Sequence, residues 1–238
     1  MSMVDVTEAS AQRILIIDDD TSVLEILRRT LENAGYEAVT VTSGQQALDY
    51  IDRHGLPHLA VVDMLMPGMS GFEFCEAVQA YSDLPVIMLT GVHDHKSVIR
   101  GLQLYAEDYV TKPFLPREVE VRVSRVLRRI GDFSYAQKPV IDVDEHLQID
   151  FAHQRIMLDG VEQTLTPTET KLLYILLRNA GHTLRAGFLI DRLWPLQEVQ
   201  KDALRVYVHR LRGKLEPDLS QPRYIQTVQG VGYQFTRF

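Results

Sequence analysis

The sequence holds one cysteine and one tryptophan among 238 residues. A single thiol, Cys75, excludes an internal disulfide and suits a reducing compartment, so a cytoplasmic location is expected. No apolar run approaches the roughly 20 residues that a membrane-spanning helix needs, which excludes a helical span. Residues 1–11 are acidic and have no apolar centre, so they read as a disordered N-terminal tail and not as a secretory signal. Positive charge is in deficit: 25 Lys and Arg stand against 32 Asp and Glu, a net charge of −7. That balance argues against indiscriminate nucleic-acid binding and leaves room for a local basic face.

A hydrophobic share of 45% with 24% charged residues is that of a globular chain, long enough for two ordinary domains. The charge divides accordingly. Residues 1–137 carry 12 Lys and Arg against 20 Asp and Glu, whereas residues 138–238 carry 13 against 12. Within the second part, residues 201–216 gather Lys201, Arg205, Arg210, Arg212 and Lys214 against Asp202 and Glu216. An acidic half joined to a half with a basic helix suggests two tasks.

Two short apolar runs, Ile14-Leu15-Ile16-Ile17 and Leu59-Ala60-Val61-Val62, suit strands buried on both faces. The first ends in Asp18-Asp19-Asp20 and the second in Asp63, after which Pro67-Gly68 forces a turn. Further strands are predicted over 38–41, 85–90 and 108–110, ending in Val41, Thr90 and near Lys112. Helices are predicted over about 23–34, 45–54, 71–80, 94–104 and 116–129. Five β-α units predict an α/β fold, a doubly wound five-stranded parallel sheet of the flavodoxin-like kind. Cys75 falls on the inner face of a helix and reads as a buried small hydrophobe.

In such a sheet the carboxyl ends of the strands converge on one crevice, so Asp18, Asp19, Asp63, Thr90 and Lys112 are brought together. Taken alone, Asp63 would serve equally as a helix cap; five polar residues on the right strand ends argue for a site. Three carboxylates repel unless a cation joins them, and an oxygen-preferring ion such as Mg²⁺ suits them. A carboxylate beside that ion, an ammonium and a hydroxyl can attack a phosphoryl group and become an acyl phosphate.

Asp18-Asp19, Asp63 with Pro67-Gly68, Thr90 and Lys112-Pro113 resemble the motifs of a response-regulator receiver domain over residues 12–130. The resemblance implies that Asp63 is the phosphoacceptor for a sensor histidine kinase. It also implies that Asp18, Asp19, Asp63 and the Leu65 carbonyl hold Mg²⁺. Thr90 and Tyr109 would be a switch pair that reshapes the face made by the helix over 94–104, the fifth strand and the helix over 116–129. Asp108, Glu118 and Arg122 would lie on the face through which two receivers pair. This sequence departs from the pattern at Val98, where a basic residue is usual, and at Tyr105, where a small one is usual. Leu65 and Val92 are apolar where the hydrolytic water would pass. They either pack locally or shield the acyl phosphate, and shielding implies slow decay.

Residues 131–140, with Gly131 and Pro139, read as a linker. Beyond it, strands are predicted over 147–151 and 155–158, the latter turning through Asp159-Gly160. Thr166-Pro167-Thr168-Glu169 has the form of a helix start, and further helices are predicted over about 185–193 and 202–215. A hairpin is expected over 224–228 and 233–235. Leu204, Val208, Leu211 and Leu215 make one dry stripe. The opposite side carries Arg205, His209 and Arg212, a cationic face that is either merely solvated or shaped for a major groove.

Leu165 to Glu169, Arg210-Leu211-Arg212, Lys214-Leu215, and Arg223 to Val228 with Gly230-Val231-Gly232-Tyr233 resemble the α+β winged helix-turn-helix domain of the OmpR/PhoB subfamily over residues 141–238. That resemblance implies contacts to double-stranded promoter DNA from Lys201, Arg205, His209, Arg210, Arg212, Lys214, Thr227 and Gln229. It also makes the loop 195–200 the surface open to RNA polymerase. Gln229, Asp202, Arg205 and Tyr207 depart from the usual residues, so an atypical DNA preference is expected. The reading is a transcription regulator that is phosphorylated, pairs as a homodimer and binds direct-repeat half-sites. No enzyme activity is expected beyond self-phosphorylation at Asp63 and slow autodephosphorylation. Two rivals are a Mg²⁺-dependent phosphotransferase, which lacks a substrate-binding cap here, and a constitutive DNA-binding protein whose receiver is only a dimerisation scaffold.

Overall fold

A computed structural model describes residues 11–91, 106–130, 140–195 and 201–238. The helix expected over 94–104, with Val92, Val98 and Tyr105, the tether over 131–139 and the loop over 196–200 lie outside the described residues.

The first half alternates strand and helix: β1 (Arg13–Ile17), α1 (Thr21–Asn33), β2 (Glu37–Val41), α2 (Gly44–His54), β3 (Leu59–Asp63), α3 (Gly71–Gln79), β4 (Val86–Gly91), β5 (Asp108–Lys112) and α4 (Pro116–Ile130). The strands are all parallel, in the order β2-β1-β3-β4-β5. Side chains alternate across the sheet, which is why both faces of β1 and β3 are apolar. Ile14, Ile16, Leu59 and Val61 pack with Leu27, Leu31, Val119 and Val123 on one side. Leu15, Ile17, Ala60 and Val62 pack with Ala47, Ile51, Phe74 and Cys75 on the other. Strand order reverses at β1, and the crevice expected at such a point lies over the ends of β1 and β3. The start of α3 presses on that crevice: a Cβ at Gly71 would lie 2.2 Å from the Asp63 carbonyl oxygen, so only glycine fits there.

The second half opens with an antiparallel sheet of β6 (Ile141–Asp142), β7 (Leu147–Asp150), β8 (Arg155–Leu158) and β9 (Val161–Thr164). Asp159 and Gly160 both have positive φ, as a tight hairpin turn requires. Three helices follow: α5 (Pro167–Arg178), α6 (Ala186–Leu193) and α7 (Lys201–Leu215). Thr166 caps α5, its hydroxyl accepting from the Glu169 N–H while the Glu169 carboxylate accepts from the Thr166 N–H. A sheet in the order β10-β12-β11 closes the fold, with β10 (Leu184–Arg185), β11 (Ile225–Val228) and β12 (Gly232–Phe235). The strands β6, β9 and β10 go beyond the sequence expectation, and β6 and β10 are only two residues long, too short to show a period of two. Three helices and a β11-β12 hairpin make a winged helix-turn-helix, and Leu204, Val208, Leu211 and Leu215 are all buried in its core.

Candidate functional site

The strand ends bring the expected residues together. Asp18 follows β1 and is fully buried; Asp63 ends β3 and is buried; Asp19 is exposed beside them. Lys112, the last residue of β5, reaches across: its ammonium donates to Asp18 Oδ2 at 2.7 Å and to Asp63 Oδ2 at 2.8 Å. The third member of the Asp run, Asp20, instead caps α1 by accepting from the Ser22 N–H. Its own N–H donates to Asp18 Oδ1 at 2.9 Å, and the Leu65 N–H donates to Asp63 Oδ1 at 3.3 Å. Thr90, buried at the end of β4, donates its hydroxyl to the Gly91 carbonyl. Tyr109 on the edge strand is 41% exposed, and Leu65 at the rim is 72% exposed.

Burial pushes the Asp18 carboxyl up, and the Asp63 charge adds to this, although the Lys112 ammonium and the Asp20 N–H work the other way. Burial alone would lower Lys112; its hydrogen bonds and attraction to the two carboxylates outweigh that and leave it raised. One ammonium therefore serves two anionic partners. Carboxylate oxygens of Asp18, Asp19 and Asp63 lie within 4.8 Å of one another, an all-oxygen donor set that fits a hard divalent cation.

The sign of the pH dependence follows. A carboxyl raised in the folded state takes a proton before its unfolded counterpart does. Its contribution favours the metal-free fold at low pH and is lost as pH rises through the folded value. A cation needs the ionised form, so Mg²⁺ should stabilise the protein more as pH rises through a window above the ordinary Asp range. Melting with and without Mg²⁺ between about pH 4 and 7 checks this. Equal Mg²⁺ stabilisation across that range would contradict it.

In the second half, helical periodicity places Arg205, Val206, His209 and Arg210 together on the exposed side of α7. Val206, 45% exposed, is an addition to the expected set, although its spacing from Arg205, His209 and Arg210 marks it out. Arg205 pairs with Asp202 at 3.4 Å, and the Arg210 guanidinium lies 5.5 Å from the Tyr207 ring centroid. Lys201 opens the helix. The rest of the expected set is arranged differently. Arg212 turns inward, donating to the Ile225 carbonyl at 2.6 Å and to Thr227 Oγ1 at 2.8 Å. Lys214 is tied to the Thr164 carbonyl and, at 2.7 Å, to the buried Glu169 carboxylate. Gln229 is exposed in the wing turn. Glu216, just past α7, is a second addition: its buried carboxylate accepts from the N–H groups of Arg223, Tyr224 and Ile225, joining the helix to β11.

On the expected pairing face, Arg122 bonds Asp108 at 2.9 Å and Glu118 at 2.8 Å within the one chain. Glu107, next to Asp108, bonds Arg129 of α4 and Arg192 of α6.

Residues 14–124 match the response regulator receiver domain family, and residues 160–235 match the family of transcriptional regulatory protein C-terminal domains. The sensory transduction protein RegX3 of Mycobacterium tuberculosis is 38% identical over 222 residues, which is 93% of this chain and 97% of RegX3. The chain belongs to the OmpR/PhoB-type response regulators. It is thus a two-component transcription regulator, whose receiver implies a histidine kinase partner and whose second domain binds DNA. The DNA-binding response regulator MtrA of Mycobacterium leprae is 36% identical, covering 94% of this chain and 97% of MtrA. Among solved structures, that of response regulator DrrB, a Thermotoga maritima OmpR/PhoB homologue, is similar at 32% identity and a TM-score of 0.45. It covers 95% of this chain and 99% of that one. No helix among the described residues is long and apolar enough to cross a membrane.

Proposed function

We propose that Asp63 accepts a phosphoryl group and that this controls pairing and promoter binding. The observation that supports the reading most is the Lys112 ammonium held between the Asp18 and Asp63 carboxylates. An Asp63 oxygen attacks phosphorus as the P–N bond of a phosphohistidine breaks, and the bonding pair leaves with the imidazole. Lys112, already within reach, turns to the incoming phosphoryl oxygens, and the Thr90 hydroxyl leaves the Gly91 carbonyl to donate to one of them. A Mg²⁺ held by Asp18, Asp19, Asp63 and the Leu65 carbonyl would neutralise charge on those oxygens. The outward Tyr109 then follows Thr90 inward, and the face around Asp108, Glu118 and Arg122 becomes competent to join a second receiver.

The division of labour runs from residues 12–130 through a linker at 131–140 to residues 141–238. Two linked winged helices raise each other's effective concentration on half-sites. Arg205, His209 and Arg210 reach into the major groove, where Val206 supplies an apolar contact suited to a thymine methyl. Arg212 and Thr227 act mainly by fixing α7 against the wing, Lys214 by fixing α7 against β9 and α5, and Gln229 leaves the wing tip neutral. The loop 195–200 is the surface for RNA polymerase.

Intact-mass measurement with acetyl phosphate and Mg²⁺ tests the acceptor. The wild type should gain one acid-labile phosphoryl group and the Asp63→Asn variant none. Decay of that group tests the exposed Leu65 as a shield. A half-life of only seconds would remove the shielding role, and phosphoryl incorporation into the Asp63→Asn variant would remove Asp63 as the acceptor.

A further inference from the structure

Among the described side chains of α7, six residues are exposed: Asp202, Arg205, Val206, His209, Arg210 and Gly213. Their spacing of three and four puts them on one face of the helix. Asp202 is the one acid on that face. A carboxylate there opposes the approach of a phosphate backbone. It also stands in the N-terminal turn, the part of a reading helix that contacts base edges. Asp202 thus lowers general affinity for DNA, and its use must lie in something other than attraction.

Its partner indicates what that use is. The Arg205 guanidinium donates to Asp202 Oδ1 at 3.4 Å, one turn back along the helix. Helical side chains lean toward the N-terminus, so this contact draws Arg205 over the first turn. The other arginine of the face is held differently: Arg210 lies over the Tyr207 ring, and Tyr207 packs on Trp194. The two cations therefore have separate addresses along the helix. In water a pair as exposed as Asp202 and Arg205 is weak. In a groove that excludes water the same contact strengthens. A guanidinium has five N–H donors in a rigid fork, so the contact with Asp202 leaves two free for the O6 and N7 of a guanine.

We propose that Asp202 and Arg205 act as one unit that reads a guanine in each half-site. Arg205 donates to O6 and N7, and Asp202 is a positioning residue that holds the guanidinium in the plane of the base. The Asp202 charge also disfavours the phosphate contact that an unrestrained Arg205 would make instead. General affinity falls and sequence preference sharpens. The inference rests on the placement of α7 in the major groove proposed above.

Selection of random DNA duplexes by the full chain, followed by titration of the enriched duplex, tests this. Replacing one guanine per half-site with 7-deazaguanine keeps base pairing and removes N7, and should weaken wild-type binding roughly tenfold. Arg205→Ala should bind the modified and unmodified duplexes alike. Asp202→Asn should lose most of the discrimination and bind a duplex of unrelated sequence more tightly. Asp202→Glu, which keeps the carboxylate, should retain the discrimination. All three variants should melt with the wild type, because an exposed pair adds little to stability. Wild-type discrimination in Asp202→Asn overturns the unit, as does a guanine preference that survives Arg205→Ala. If alanine at Arg205, His209 and Arg210 in turn leaves every base preference unchanged, the placement of α7 in the groove fails as well. If Arg205 alone is silent, that placement stands and the pair falls.

Discussion

Lys112→Met is expected to slow phosphoryl transfer to Asp63 from acetyl phosphate by about 10²–10³-fold, the loss that follows removal of one preorganised charge from a reacting oxyanion. The geometry gives the reason. Among the described residues, Lys112 alone donates to both Asp18 and Asp63, at 2.7 and 2.8 Å, and it arrives from β5 at the far edge of the sheet. Methionine keeps the length of the stem and removes the charge. The same change leaves two buried carboxylates side by side with no cation between them, so Asp18, already raised by burial, rises further. A raised carboxyl favours the fold only at low pH, so the variant should lose stability as pH rises and regain it with Mg²⁺. Initial rates of phosphoryl incorporation, with melting followed in parallel, check both parts. A rate within about threefold of the wild type would show that Lys112 is a structural ion pair and no more.

Glu216→Ala should destabilise the DNA-binding domain by roughly 3–5 kcal/mol, because it strips the acceptor from a run of buried backbone donors. Tyr224 and Ile225 are fully buried, and their N–H groups bond the Glu216 carboxylate at 3.0 and 2.7 Å. The Arg223 N–H joins them. Glu216→Gln keeps one accepting oxygen and should lose roughly 1–2 kcal/mol. Trp194 packs on Tyr207 of α7 with ring centroids 5.4 Å apart and is the one tryptophan in the chain, so its fluorescence reports this domain in denaturant. Phosphorylation of Asp63 should survive the change. An Ala variant as stable as the wild type would mean that water satisfies the three donors.

Much of this molecule is legible because its chemistry sits where local sequence rules act. A four-residue apolar run that ends in Asp states both a buried strand and a strand-end carboxylate. Thr166-Pro167-Thr168-Glu169 states its own helix start, and the capping box is there. Cys75 is buried as the spacing of its neighbours implies. What is not legible depends on long-range geometry. Charge on α7 reads in sequence as one cationic face, but a cation chooses its partner by distance. Arg212 finds the Ile225 carbonyl and Lys214 finds Glu169, 45 residues away. Glu216 reads as a counter-charge to the basic helix, because nothing in its spacing announces three backbone donors from residues 223–225. Nothing near Asp83 or Glu107 in the sequence signals a partner, since their arginines come from α5 and α6. Sequence leaves open whether the halves merely share a tether, and the Arg178 and Arg192 contacts answer it.

The central claim, that Asp63 controls assembly, is tested most directly by the mass of the full chain in solution. Wild type and Asp63→Asn would be compared with Mg²⁺, before and after acetyl phosphate. The account predicts that the wild type alone moves from the 27.2 kDa monomer to a dimer. Dimerisation of both proteins, or of the wild type without phosphodonor, would contradict it and leave the receiver as a constitutive scaffold.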